Sequence, residues 1–528
     1  MDRIPRWFFL LQRRTKAYLS RCVAIDSRTL AVFRIFVGIL VVGDVLSRSR
    51  NFSFYYTDDG VVPQGLAETY TTDGAFSFFF YTSDPTIIGA LFLVHALIGI
   101  QLILGYKTRV ATILTFLFVV SLDHHNPFVT SYADTLFRLL LFWAIFLPLG
   151  ERWSIDAVHR TREARTRIVS AASALILGQM VYMWVVNGYH KSQNSLWTQG
   201  EATPLIFGID EMTFLLGDFM RANVLPFLEL GGFLWYYMLI TAWLLFFLQG
   251  RLRILFATLF VGGHLSFALT VRIGAFGYVA LTGALLFYQT QFWRDGRRVL
   301  EALRIDVDGL YQTLSRTSAL ASYFPVGQRA GPRQRTLRKT VYTVSIGAVV
   351  LSMVLVVALS GLVMAGEIDE DHGHDKQIEE LAERLSIDQP TWSVFAPNPR
   401  TTDRYYVFSA ETIDGDKVDV FNERELTYTR PHDELQNQHD VYRERFYMNS
   451  IRRGDENSEI NQQFAGYLCE RWEEEHGTAL TNLNKWYVNE YITEETIIDH
   501  ERRDRSAFRI GQFSCDDSQP TVVQRPEL

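Results

Sequence analysis

The sequence predicts an α-helical polytopic membrane protein of about nine transmembrane helices, N-terminus inside, followed by a C-terminal extracytoplasmic domain of mixed α/β structure. Three observations carry that prediction. Apolar segments long enough, or nearly so, to cross a hydrocarbon core of about 30 Å recur through the first two-thirds of the 528 residues. Charge divides the chain: residues 366–528 carry a net −18 and residues 1–365 a net +11, within an overall −7. The mean hydropathy of +0.04 therefore averages two unlike parts. Lys and Arg, finally, gather in every second connection, as cytoplasmic loops require.

Taken in order, residues 1–28 set Trp7, Phe8, Phe9, Leu10 and Leu11 between arginines, without a proper apolar core or a small-residue cleavage site. They read as an amphipathic helix on the inner leaflet rather than a signal peptide. Residues 29–365 form the membrane domain, with spans near 30–46, 86–104, 110–122, 135–149, 168–186, 224–248, 252–271, 275–288 and 341–364. The turn at Lys107 and Arg109, residues 160–167, the pair Arg251 and Arg253, and residues 294–339 are basic and fall inside. The acidic or mixed connections 47–85, 121–134 and 187–223 fall outside, and an odd number of spans exports the C-terminus. That topology is of a multi-pass protein with the lipid bilayer as its first partner, and the expected location is a prokaryotic cell membrane.

A charged linker, 366–390, leads to the soluble domain, 391–528. Residues 405–421 alternate apolar and polar side chains around Asp414-Gly415, the pattern of a β-hairpin. Segments 442–448 and 461–475 read as helices and 486–492 as a strand. Cys469 and Cys515 lie in this exported part, where a disulfide between them would persist, whereas Cys22 lies inside. His372-Gly-His374 is too sparse for a metal site. No phosphate-cradling loop, nucleophile elbow or nucleic-acid motif is present, and the acidity of the domain disfavours nucleic acid.

The chemistry concentrates near Lys191, which follows an apolar run and sits beside Tyr189, Trp197 and Gly200. A lysine there either snorkels to the interface or is held partly desolvated, which makes it a usable base. Asp134 and Arg138, four residues apart, share a helix face and can pair. Arg34 and Asp44, ten apart, cannot. Asp44 falls at the depth of Lys191 and could pair with it or join a proton relay. His264, after Gly262 and Gly263, either donates to a backbone carbonyl or serves the site. His95 reads as a satisfied packing histidine, and His124-His125 as a loop cap that could supply a site histidine if the loop folds inward. Tyr182, Tyr189 and Trp197 read as interface aromatics, with Trp197 alternatively bounding the site.

Several stretches, in order, resemble the horizontally transferred transmembrane (HTTM) domain family, which includes the vitamin K-dependent gamma-carboxylases. They are Arg34-Ile-Phe-Val-Gly38 with Asp44, Tyr56-Thr-Asp-Asp-Gly60-Val-Val-Pro63, Gly105-Tyr-Lys-Thr-Arg109, Asn126-Pro127, Asp134-Thr-Leu-Phe-Arg138, Leu147-Pro-Leu-Gly150 and Arg152-Trp-Ser-Ile-Asp156. Tyr189, Lys191, Trp197, Gly200 and Ala202, then His264-Leu-Ser-Phe-Ala-Leu and Trp392-Ser-Val-Phe-Ala-Pro-Asn-Pro399, continue the likeness. The resemblance implies a quinol-dependent membrane enzyme: Lys191 deprotonates a reduced menaquinone or related quinol, with O2 and CO2 as possible co-substrates and an exported peptide or protein as client. It gives Lys191 the role of base and strengthens His264 as a catalytic residue; Asp44, Asp134, Arg138 and Trp197, from their own placement, are expected in substrate binding, with no metal. One departure concerns the carboxylases' histidine at the start of the fourth span, which here is Ala133 or Asp134. The alternative is a non-catalytic membrane factor that binds or matures an exported client. Transport is disfavoured by the lack of repeat symmetry.

Overall fold

The computed structural model describes residues 6–72, 74–306, 386–516 and 518–527, with residues 382–383 and short stretches between 309 and 348. An amphipathic helix α1 (Arg6–Cys22) precedes a bundle of α2 (Ser27–Ser49), α3 (Pro85–Leu104), α4 (Thr108–His125), α5 (Tyr132–Ile145), α6 (Ala171–Lys191), α7 (Leu225–Ile240), α8 (Gly250–Thr270) and α9 (Phe276–Leu285). Then α10 (Thr290–Ala302) lies beyond the bundle with no buried residue. The helices begin where the sequence supplies oxygen caps: Asp26 accepts from Arg28 N at the head of α2, and Asp84 from Thr86 N and Ile87 N at α3. Helices α2 and α3 cross closely at Gly38 and Gly99. A Cβ on Gly38 would lie 2.8 Å from the Gly99 carbonyl oxygen, so only glycine permits this approach.

Four described helices are long and apolar enough to cross a membrane: α2, α3, α6 and α8. A fifth span is reached if Gly217–Asn223 and α7 count together, although they are bent by 111°. The remaining predicted segments are helical: α4, with 18 residues, is long enough but not apolar enough along its length, and α5 and α9 are short, with 14 and 10 residues. Segment 224–248 is not one rod: Pro226 stands at the start of α7, which ends at Ile240 before the separate turn of helix Leu244–Phe247. Of the last predicted span only 341–348, which is helical, is described; the rest, with His372 and His374, lies outside the described residues.

The basic connections meet at one end of the bundle. Arg34 gathers the carbonyls of Leu149, Arg152, Ile103 and Trp153, Arg253 donates to Cys22 O, and Ile25 pairs with Ile168 in a two-residue antiparallel ladder. At the opposite end sits the C-terminal domain. Its five strands, β1 (Thr402–Thr412), β2 (Lys417–Asp419), β3 (Arg424–Glu425), β4 (Leu480–Tyr491) and β5 (Arg505–Ser514), form an antiparallel sheet of order β3-β2-β1-β4-β5. Helices α11 (Tyr442–Arg453) and α12 (Glu459–His476) complete it. The predicted hairpin is β1–β2, turning at Gly415 with φ +88°. Cys469 and Cys515 are disulfide-bonded.

The two parts share one hydrophobic core. Tyr55, Tyr56, Phe79 and Phe92 of the bundle pack in the same cluster as Tyr406, Phe408, Tyr447 and Phe464 of the sheet domain. Buried ion pairs reinforce the junction. From α11, Arg443 donates to Val129 O at 2.9 Å and to Asp134 at 2.9 Å, and also reaches Asp44. Arg48 bonds Asp44 and Asp123 at 2.8 Å each. A second cluster joins Asp210 and Glu211 to Arg400, Arg430 and Arg503. Burial opposes ionisation of Glu211, but the Arg400 and Arg445 guanidiniums outweigh it and hold the carboxyl at about 2.

Candidate functional site

Lys191 is the last residue of α6 and is buried, with a relative exposure of 2%. Its Nζ donates to the carbonyl of Val394 at 3.0 Å and stands 3.2 Å from the centroid of the Trp197 ring. No carboxylate among the described residues comes within ion-pair distance of it. Trp197 is carried by the short helix Ser195–Gln199, capped by Asn194 and ended by Gly200 at φ +91°. It is 3% exposed, so it is a wall of the site and not an interface anchor, whereas Tyr182 and Tyr189 are largely exposed as expected.

Beside Lys191 opens a cavity of about 270 Å³, close to the lower end, roughly 300 Å³, of small-molecule sites. Trp184, Trp235, Phe276 and Leu239 make it predominantly apolar, and Trp392 and Phe395 close the end facing the sheet domain. Phe227, Gly231 and Ser266 also line it and are exposed on the bundle's flank, giving the cavity a lateral mouth between α7 and α8. His264 forms part of the wall. Trp184 Nε1 donates to its Nε2 at 2.9 Å, which assigns the neutral ring's hydrogen to Nδ1. That Nδ1 is buried without a partner, so the wall offers an unused donor. His264 therefore accepts from an indole rather than donating to a backbone carbonyl.

The other expected site residues stand elsewhere. Asp44 and Asp134 line a second cavity of about 420 Å³, separated from the first by Val271, which borders both. Asp44 does not pair with Lys191, because Arg48 and Arg443 occupy it. Asp134 does not pair with Arg138. It closes a capping box with Ser131 at the start of α5 and binds Arg48 and Arg443, while Arg138 turns to Asp123 at 3.4 Å. The reason is that α4 and α11 bring closer charges to that face than the i, i+4 neighbour. His95 stacks on Phe118 with neither nitrogen bonded, so it packs but is not satisfied. His124 and His125 end α4. His124 bonds Phe76 O and Ser386, and His125 stacks on Phe79, away from the Lys191 cavity.

Sequence reasoning missed Asn187, Trp392 and Val394. Asn187 lies four residues before Lys191, on the same face, and donates to Trp392 O at 2.7 Å and Val394 O at 3.1 Å. The i−4 spacing was the available signal. Trp392 is wholly buried in the bundle's core cluster, and truncating such a side chain typically costs about 3–5 kcal/mol.

A helical bundle with apolar helices of spanning length, enclosing a tryptophan-lined cavity that holds one lysine without a counter-ion, defines an integral membrane protein. Residues 23–293, just over half of the chain, match the HTTM domain, and the chain belongs to that family. No curated protein and no solved structure matches it.

Proposed function

We propose that the protein is a vitamin K-dependent gamma-carboxylase-like membrane enzyme that binds a reduced lipid quinone, menaquinol or a relative, beside Lys191 and uses it to modify an exported peptide or protein. The observation that carries this reading is the Lys191 ammonium on the wall of an apolar cavity, with one carbonyl acceptor and no counter-ion. In its neutral amine form such a group can receive a proton from a phenolic hydroxyl, becoming the ammonium, and return it without a carboxylate to trap it. The cavity's chemistry suits that ligand: aromatic walls for the ring, a free His264 Nδ1–H for an oxygen, and a mouth on the lipid flank for an apolar tail.

When bound, a quinol supplies reducing equivalents to O2 and, with them, a base strong enough to act on a carbon acid. Lys191 holds or moves the proton at the ring hydroxyl. Trp197 fixes the ammonium by its ring face. His264 orients the second oxygen, and Trp392 with Phe395 keeps water out from the sheet-domain side. Glutamate carboxylation with CO2 is one outcome of such chemistry. The carboxylases' histidine position is Ala133 or Asp134 here, and Asp134 is committed to ion pairs, so the client reaction differs at that point or draws on another group. Asp134 and Asp44, across Val271, border the second cavity and suit a client-side role; Arg138 supports them through Asp123. We place nine spans in a prokaryotic cell membrane, with the acidic C-terminal domain outside.

The test uses purified protein in lipid nanodiscs, supplied with reduced menaquinone and oxygen, with quinone epoxide followed by mass spectrometry beside Lys191→Ala. Lys191-dependent epoxide supports the reading. Absence of both product and quinone binding replaces it with a non-catalytic factor that binds an exported client, a role that the buried Asp44, Asp134 and Arg443 pairing would serve as scaffold.

A further inference from the structure

The segment leading into the sheet domain is built into the Lys191 site. Gln389 exchanges two amide hydrogen bonds with Gln179 of α6, at 2.9 and 2.7 Å. Trp392 follows into the bundle core and donates to Gln389 Oε1 at 3.1 Å. Tyr132 OH meets both Thr391 and Ser393 at 3.0 Å. Trp392 and Phe395 hold φ of +50° and +53°, conformations that non-glycine residues adopt only where their surroundings fix them. The result is that the carbonyls of Trp392, Val394 and Phe395 face α6 and the Ser195–Gln199 helix, while that of Ser393 turns to Ala396 N. Asn187 takes those of Trp392 and Val394, Lys191 takes Val394, and Trp197 Nε1 takes Phe395 at 2.9 Å.

The Val394 carbonyl is thus shared by Asn187 and Lys191, one helical turn apart. An ammonium has three N–H directions. One is spent on this carbonyl and the Trp197 ring covers a second side, so the direction left over faces the cavity. Were the carbonyl to swing away, Nζ would keep its burial but lose its aim. The depth at which Trp392 is buried makes the segment a fixed wall rather than a lid that opens.

We propose that Asn187 is a positioning residue for Lys191: through the carbonyls of Trp392 and Val394 it sets the direction in which the ammonium addresses its ligand, making the leading segment of the C-terminal domain a structural part of the bundle's reactive site. The proposal rests on the quinol reading for its effect on turnover, but not for its effect on Lys191 itself.

The test compares wild type with Asn187→Leu, which keeps the size and removes both donors, and with Asn187→Ser, which is too short to reach, as a second variant should the first fail to fold. Three quantities are read on the full chain in nanodiscs. Hydrogen exchange across 391–398 should rise about tenfold, while exchange in β1 and β4 stays unchanged. The pH profile of Lys191 reductive methylation by formaldehyde, followed by peptide mass spectrometry, should move by about half a pH unit or more. Quinol epoxidation should lose about tenfold or more in kcat with KM within about twofold. A methylation profile identical to wild type in the folded variant overturns the proposal. Wild type that methylates differently from the variant yet never oxidises quinol leaves the positioning role standing and overturns the quinol reading alone.

Discussion

The Nζ of Lys191 lies 3.2 Å from the centre of the Trp197 ring, and the two residues come from separate helices joined by a three-residue turn. The ring's negative face thus stands where a buried ammonium would ordinarily meet a carboxylate, and on the proposed reading this leaves the amine free to exchange a proton with a ligand.

Lys191→Ala should abolish quinol-dependent turnover, by about 10²–10⁴-fold if the residue is a general base, while quinone still binds. Nanodisc epoxidation with a parallel binding measurement separates these outcomes. Loss of binding together with turnover would show that the lysine holds the ligand rather than deprotonating it.

Gly231→Leu should block the lateral mouth. A Cβ built on Gly231 meets no atom within 4 Å, so the added side chain enters open space without strain. The expected result is wild-type thermal stability with quinone affinity lowered about tenfold or more, roughly 1.4 kcal/mol. Unchanged affinity would mean that the ligand enters elsewhere.

Arg443→Ala should be among the most destabilising single changes at the junction. It strips Asp44 and Asp134 of a buried partner, a loss of about 3–5 kcal/mol. Adding Asp134→Asn should restore part of that stability, read as a positive interaction in a double-mutant cycle by denaturant or thermal unfolding.

Glu151 ties down the connection 160–165 at the basic end of the bundle. Burial opposes its ionisation, but Arg162, Arg165 and Arg160 outweigh it and hold the carboxyl at about 2, below its ordinary 4.5. A carboxyl depressed on folding contributes stability that is complete above the ordinary value and is lost as pH falls through the folded one. Two of the three guanidiniums are half exposed, so solvent screening keeps the contribution on the order of 2 kcal/mol. The melting difference between wild type and Glu151→Gln should therefore be largest near neutral pH and shrink steadily from pH 5 to pH 3.

Reduction of Cys469–Cys515, or Cys515→Ser, should loosen the attachment of α12 to the end of β5 by about 2–4 kcal/mol, since the bridge closes a loop of 46 residues. Hydrogen exchange should rise in α12 and β5 and stay constant in α6 and α8.

The helices were legible because lipid demands long apolar segments; the caps Asp26, Asp84 and Ser170, which fix where three of them start, emerge only in the structure. The hairpin at Asp414-Gly415 and the two helices of the sheet domain were legible from alternation and turn chemistry. Lys191, Trp197 and His264 were found because their residue types are unusual where they stand, and they do share a cavity. Asp134 with Arg138 failed because i, i+4 spacing reports only local opportunity. Arg443 is 309 residues from Asp134, and no periodicity carries that distance. Val394 escaped for the same reason, doubly so because its contribution is a backbone oxygen; Asn187 shares a helix face with Lys191, but its partners at Trp392 and Val394 are equally distant in sequence.

The ion pairs at the junction also order events in time. Asp44 and Asp134 are made early, but Arg443 follows hundreds of residues later, and Val394, the acceptor for Lys191, is likewise late. A nascent bundle consequently holds its carboxylates and its lysine incompletely matched until the final third of the chain arrives. A chain cut short before residue 394 would therefore lack both the arginine that completes the pairing of Asp44 and Asp134 beside Arg48 and the carbonyl that holds Lys191.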